Sequence, residues 1–258
     1  MVQLMKLTKV DKIRSLLKSI ETGEPGPISI VNEARYIQHN PQTHEGSEGL
    51  ASLFKRLSKT EPTVNMVRGF QDGEFVFAHM EYDFSSRKIC FEVFRFEQDR
   101  AVEHWDNIQE RLGPNASGRS MVDGPTEATG REHTEANRAV VQEFVESVLI
   151  EDQTDRLREF INENDYSEHN PHLDDDVEVL EAALTASDDA GLIINYRKLH
   201  RVLADGNFVL SVCEGTRSGV HSAFYDLFRL DGGKIVEHWD TTERVAPKEE
   251  WKNTNGKF

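Results

Sequence analysis

Apolar and polar positions follow two periods along this chain, and the same succession of periods occurs twice. Ile13, Leu16, Leu17 and Ile20 recur at helical spacing, as do Val141, Phe144, Val145 and Val148. Thr134 is the natural cap of the latter helix, whose end is expected near Glu151. Glu21 to Pro41 and Glu151 to Pro171 are equal in length, yet Gly23, Pro25 and Gly26 break the helical pattern in the first stretch and shorten its second helix. A third helix is expected over Ser47 to Leu57 and over Asp175 to Ala186, with an acidic start in the latter that suits the positive helix end. The pattern then turns to short β-rich runs: Phe75 to His79, Ile89 to Phe96 and Ala101 to Trp105, matched by Phe208 to Cys213, Ala223 to Leu230 and Lys234 to Trp239. Asp72-Gly73, Asp205-Gly206 and Asp231-Gly232-Gly233 are hairpin signals. Helices followed by antiparallel strands predict an α+β fold, with helices covering one face of a curved sheet.

The repetition extends to identical residues. Val102-Glu103-His104-Trp105-Asp106 returns unchanged as Val236-Glu237-His238-Trp239-Asp240, and His39-Asn40-Pro41 returns as His169-Asn170-Pro171. The offset is 130 positions at the first histidine pair (39 to 169) and 134 at the tryptophans (105 to 239), so order is kept with only small insertions. A period of that length is a domain, not a solenoid repeat. The expected organisation is a first domain over 1–112, a linker over 113–132 rich in Gly, Pro, Asn and Ser, and a second domain over 133–258.

Composition narrows the function classes. The chain has 46 acidic and 30 basic residues and a formal charge of −16, which repels phosphate backbones and anionic membranes, so neither is expected as a partner. Cys90 and Cys213 fall at unmatched positions and suggest neither a disulfide framework nor a zinc cluster. A reducing, cytoplasmic setting is the default expectation. Charges at Lys6, Lys9, Asp11, Lys12 and Arg14 interrupt any signal-peptide core near the start of the sequence. Phosphate loops, nucleophile elbows and Walker motifs are absent from the sequence.

The Tyr-x-x-His-Asn-Pro turn, the strand pair around Arg201 to Val209, the Tyr225 to Arg229 strand and the terminal strand from Gly233 to Asp240 resemble the SnoaL-like branch of the nuclear transport factor 2-like superfamily. The second copy, from about Thr134 to Arg244, is the closer match; the first, from about Leu7 to Arg111, has Glu92 where the pattern has Asp226. The resemblance implies two tandem cone-shaped α+β barrels, each a bent antiparallel sheet wrapped by helices around a pocket. It also implies a functional range from cofactor-independent polyketide cyclases through isomerases and hydratases to proteins without activity, with His39 and His169 pointing into the pocket mouth. Fold alone does not select among these.

Strand alternation sorts the repeated pentapeptide. His104 and Asp106 share one face with Val102, whereas Glu103 and Trp105 share the other; His238 and Asp240 are placed alike, separate from Glu237 and Trp239. A carboxyl group in an apolar cavity has a raised pKa, and a neighbouring imidazole tunes it, which is the equipment for moving protons next to a carbonyl. The candidate catalytic set is therefore Asp240, His238, His169 and Asp226 in the second copy, and Asp106, His104 and His39 in the first. Glu92 and Asp226 sit where a carboxylate orients the imidazole. Candidate ligand-binding residues are Tyr36, Asn40, His79, Glu92 and Trp105, and Tyr166, Asn170, His200 and Trp239. Bland alternatives stand beside each: tryptophan in the core, the His and Asp bonded structurally at a strand end, Asn as a helix cap. His39 with His104 and Asp106 has the count of a two-histidine, one-carboxylate metal set, but nothing in the sequence makes them converge, and no metal or cofactor is expected.

The leading expectation is a cofactor-independent enzyme acting on a small hydrophobic carbonyl compound through His/Asp acid–base chemistry, of cyclase, isomerase or aldol type. The alternative is a non-catalytic ligand-binding or assembly module of the same fold. Two copies in one chain also suggest an internal pseudo-dimer, with further homodimerisation through outer sheet faces open.

Overall fold

The computed structural model describes residues 7–185 and 193–258, so the end of the helix expected to reach Ala186 lies outside the described residues. The chain divides into two compact units: 1–106 with 246–257, and 107–245 with Phe258. The stretch read from sequence as a linker, 113–132, thus belongs to unit 2, and the tail after the second copy belongs to unit 1. Each unit is built from one copy of the repeat and the segment that follows the other copy.

Unit 1 opens with α1 (Lys9–Thr22), capped by a reciprocal Thr8–Asp11 box and ended by Gly23 in the left-handed region at φ 72°. Its Ile13, Leu16, Leu17 and Ile20 are buried, as the helical spacing requires. A 3₁₀ turn over Gly26–Ile30 is all that remains of the second helix, because Pro25 and Pro27 bracket a glycine there. Then come β1 (Ile37–Gln38), α2 (Gly46–Leu57), β2 (Thr63–Asp72), β3 (Phe75–Asp83), β4 (Arg87–Glu97) and β5 (Arg100–Glu110), whose last four residues lie in unit 2. The sheet order is β1-β5-β4-β3-β2, with β1 parallel to β5.

Unit 2 repeats this plan. In it α3 (Thr134–Phe144) runs on as a π-helical stretch over Val145–Ile150, keeping Val145 and Val148 buried. Thr134 does not cap this helix through its side chain; its hydroxyl accepts from Gly206 N in the turn at Asp205-Gly206. After α4 (Leu157–Phe160) come β6 (Ser167–Glu168) and α5 (Val177–Leu184), the last capped by Asp176. The strands β7 (Ile194–Asp205), β8 (Phe208–Arg217), β9 (Val220–Asp231) and β10 (Lys234–Arg244) follow, in the order β6-β10-β9-β8-β7. Register shifts at Tyr196/Lys198 and Leu199/Arg201 in β7 and at Ile235/Glu237 in β10 mark the bulges through which a sheet bends. Helix residues Val141, Phe144, Val148 and Leu157 pack with Val209, Phe224 and Phe228 of the sheet in one core. Both units are α+β. Among the described residues no helix is long and apolar enough to cross a membrane.

Candidate functional site

The two-residue strand β6 decides what meets the repeated pentapeptide. Its parallel pairing with β10 sets Glu168 opposite His238 and Ser167 opposite Glu237. His238 Nδ1 then lies 3.0 and 3.1 Å from the two oxygens of Glu168, and Nε2 lies 3.2 Å from Asp226 Oδ1 on β9. Tyr166 donates to Glu168 at 2.6 Å and Tyr196 to Asp226 at 3.0 Å. Burial works against a charged His238, but Glu168 and Asp226 outweigh it and hold its pKa well above the ordinary histidine value. Both ring N–H groups are therefore engaged, and the ring is a fixed positive charge instead of a free base.

Asp240 stands two residues on, across the strand pair from Asp226. The turn at Asn170 holds it: the Asn170 side-chain oxygen accepts from His172 N, as in an Asx turn, and its amide donates to Asp240 Oδ2 at 2.9 Å. Asp240 Oδ1 is enclosed and has no hydrogen-bond partner. Burial pushes the Asp240 pKa up to about 7, with Asp226 and Glu168 adding to the rise and His238 opposing it. Asp226, His238 and Asp240 all open onto a cavity of about 570 Å³ within unit 2. Its apolar wall includes Phe144, Ile161, Leu180, Phe228 and Ile235. Tyr166 and Asn170 line it too, and His172 and Arg217 are further lining residues. Burial and the Arg217 charge lower the His172 pKa.

Unit 1 has the same skeleton with different charges. His104 Nε2 lies 2.5 Å from Glu92 Oε2, and its Nδ1 lies 2.8 Å from Gln38 Oε1, where unit 2 has Glu168. Burial opposes charge on His104, but Glu92 raises its pKa above the ordinary value. Asn40 donates to Asp106 Oδ2 at 2.6 Å, as Asn170 does to Asp240. The ammonium of Lys257, only 3 % exposed, lies 3.4 Å from Asp106 Oδ1. Burial pushes the Asp106 carboxyl up, yet Lys257, His104 and Asn40 hold it below the usual aspartate value. Identical pentapeptides thus carry aspartates shifted in opposite directions.

The structure gathers Asp240, His238, Asp226, Tyr166 and Asn170 in one place, and Asp106, His104, Glu92 and Asn40 in the other. His169 and His39, which the resemblance places at the pocket mouth, lie instead against the Glu/Trp faces of the terminal strands. His169 stacks on Trp239 at 4.7 Å, bonds Glu237 Oε1 through Nε2 at 2.9 Å, and meets Ser120 O through Nδ1 at 2.7 Å. His39 stacks on Trp105 at 4.6 Å and contacts Glu103 and Gly256 O in the same manner. The Trp239 indole donates to Asp123 O, and Gly124, at φ 93°, packs so closely that a Cβ would stand 2.3 Å from Glu237 Oε1. The His39 contribution to a metal set with His104 and Asp106 is therefore excluded by its place on the Trp face. His79 is buried on Phe91 beside Arg68, and His200 bonds Glu214 and stacks on Phe258; neither reaches the cavity described above. Tyr36 is buried with its hydroxyl unpaired.

The sequence alone does not single out Glu168, Tyr196 or Lys257. The signal for Glu168 was present: the residue before His-Asn-Pro is Gln38 in one copy and Glu168 in the other. Tyr196 and Lys257 lie outside the repeated motifs, and only the folded chain brings them in.

No family model matches the sequence, and no curated protein is similar to it. Solved structures do match, each over one portion of the chain. A putative polyketide cyclase, IdmH from Streptomyces antibioticus, is 16% identical over 40% of this chain and 93% of its own, with a TM-score of 0.36. A putative ketosteroid isomerase from Kribbella flavida is 14% identical over 45% of this chain and 83% of its own, with a TM-score of 0.38. An NTF2-like protein of unknown function from Cytophaga hutchinsonii is 14% identical over 42% of this chain and 95% of its own, with a TM-score of 0.36. Each of these matches spans roughly two-fifths of this chain, and the chemistry rests on the residues.

Proposed function

We propose that unit 2 moves protons on small apolar carbonyl compounds, with Asp240 as the acid–base group. One observation carries this reading: a carboxyl in an apolar-walled cavity, ionising at about 7, with one oxygen anchored by Asn170 and the other without a partner. A base works best when its pKa lies near the working pH, since it is then both available and strong enough to take the proton.

In this reading a C–H bond next to the substrate carbonyl breaks, its proton passes to the Asp240 carboxylate, and the electron pair shifts onto the carbonyl oxygen. His238 lines the same cavity, and its positive charge offsets the charge of Glu168 and Asp226, whose carboxylates alone would oppose an enolate. Return of the proton to another carbon completes an isomerisation. Attack of the enolate on a second carbonyl of the same molecule completes an aldol closure instead, with the new alkoxide taking the proton. Neither route calls for a cofactor. Tyr166 and Tyr196 have pKa values raised by burial and by the neighbouring carboxylates, so they stay protonated and keep those carboxylates in place.

The test is hydrogen exchange. The full chain is incubated with a panel of small enolisable ketones in D₂O, and loss of the proton next to the carbonyl is followed by NMR. Exchange by the wild type and by Asp106→Asn, but not by Asp240→Asn, is the expected result. Equal exchange by wild type and Asp240→Asn defeats the assignment. Saturable binding of the ketones without exchange would make unit 2 a ligand-binding module.

A further inference from the structure

Glu92, His104 and Asp106 each offer one ligand atom, and these atoms lie within 4.8 Å of one another in a buried part of unit 1. One imidazole nitrogen and two carboxylate oxygens suit a divalent first-row metal ion. The imidazole is set as a metal-bound histidine is: Nδ1 faces the Gln38 amide oxygen at 2.8 Å, which directs Nε2 toward the carboxylates. Glu92 is steadied in turn by the Tyr82 hydroxyl at 2.7 Å, and Asp106 by Asn40 at 2.6 Å. The Tyr36 hydroxyl is an independent sign of something else to be bound. It is buried, without a hydrogen-bond partner, and near enough to Glu92 and Asp106 to feel both charges. Leaving such a donor unmet in the interior costs free energy.

The place already holds a cation. Lys257 brings its ammonium to Asp106 Oδ1 at 3.4 Å, a longer approach than a strong charge-assisted bond makes. The tail that carries it is pinned on either side of the turn at Asn40. Lys252 N donates to Pro41 O, Asn253 to Asn40 O and Thr43 O, and Asn255 to Gln38 O. Gly256 O meets His39.

We infer that unit 1 contains a divalent-metal site formed by Glu92, His104 and Asp106, which the Lys257 ammonium closes, so that metal and Lys257 compete for it. A metal entering between His104 Nε2 and Glu92 Oε2 replaces the proton that joins them, and uptake releases that proton. Unit 2 is built against this. There Glu168 stands in the place of Gln38, and with carboxylates on both ring nitrogens His238 keeps both protons and has no lone pair to give. The difference between Gln38 and Glu168 leaves His104 with one carboxylate partner and His238 with two.

The experiment titrates the full-length chain with Co²⁺ and follows visible absorption, with Zn²⁺ as competitor and circular dichroism to verify folding. Lys257→Met is expected to bind one Co²⁺ at least about tenfold more tightly than wild type. Lys257→Arg, which keeps the positive charge, is expected to bind no more tightly than wild type. Adding Glu92→Gln to Lys257→Met removes the new site, and Zn²⁺ displaces the Co²⁺ spectrum. The inference is overturned if Lys257→Met gains no affinity while remaining folded, or if the gained site survives Glu92→Gln. If Lys257→Met does not fold, the reading passes to Lys257→Gln under the same criteria.

Discussion

Both carboxylate oxygens of Glu168 approach His238 Nδ1, at 3.0 and 3.1 Å, from inside the core of unit 2. Gln38 makes the matching contact to His104 with a neutral amide oxygen. The residue before His-Asn-Pro thus places a carboxylate on His238 and a neutral amide on His104, while Lys257 adds an opposing positive charge near His104.

Exchanging these residues should exchange the behaviour. Glu168→Gln removes the larger of the two favourable charges on His238, so its pKa falls toward the ordinary histidine range; Gln38→Glu raises that of His104. NMR of the imidazole carbons against pH reads both. No movement of the His238 titration in Glu168→Gln would mean that Asp226 alone fixes the charge.

Asp240 sets the expected pH dependence of catalysis. With a free-enzyme pKa of about 7 and a role as base, kcat/KM rises as pH passes through that value and levels off above it. Asp240→Asn should lower kcat/KM by about two to four orders of magnitude, the usual worth of a positioned acid–base group. A profile that is flat across neutrality in the wild type would remove Asp240 from that role.

The same shift enters stability with a definite sign. Asp240 in the folded chain titrates at about 7 against an ordinary value of 3.8, so the folded state holds a proton that the unfolded state has lost between those limits. Its contribution is fully present below about pH 4 and is lost as pH rises through 7. Asp240→Asn, which cannot ionise, should therefore gain on the wild type between pH 5 and 8 in urea melts, by on the order of 2 kcal/mol once the partial exposure of Asp240 is allowed for. Parallel stability–pH curves for the two proteins would contradict a raised pKa.

Much of this arrangement was legible in the sequence because it depends on periodicity. Helical spacing located α1 and α3, alternation located the central strands, and the pentapeptide read as a strand put His238 with Asp240 and Trp239 with Glu237. The rest was not legible because it depends on tertiary approach. The strand β6 has only two residues, too few for any pattern, yet its register delivers Glu168 to His238. The stretch 113–132 has the composition of a linker, but Asn115, Ser120 and Asp123 bond the unit 2 residues Glu168, His169 and Trp239. Lys257 carries no local signal for the aspartate it meets.

The Trp faces make a prediction about stability that separates them from the site. Glu237 joins His169 at 2.9 Å to Arg229 at 2.6 Å, and its side chain is only 4 % exposed, against 16 % for Glu103 in the matching position. Removing one partner of a buried ionic cluster strands the others, so Glu237→Ala should cost about 3–5 kcal/mol and Glu103→Ala less. Burial pushes Glu237 up, but His169 and Arg229 hold its pKa below the usual glutamate value. Its stabilisation is therefore present above about pH 4.5 and lost as pH falls through the folded pKa, and the variant should lose less stability on acidification than the wild type does. Urea melts at pH 7 and pH 4, with the His238 titration as internal control, decide the matter: a destabilised chain whose His238 pKa is unchanged assigns His169, Glu237 and Arg229 to holding the fold. A His238 titration that moves with Glu237→Ala would instead tie the Trp face to the cavity.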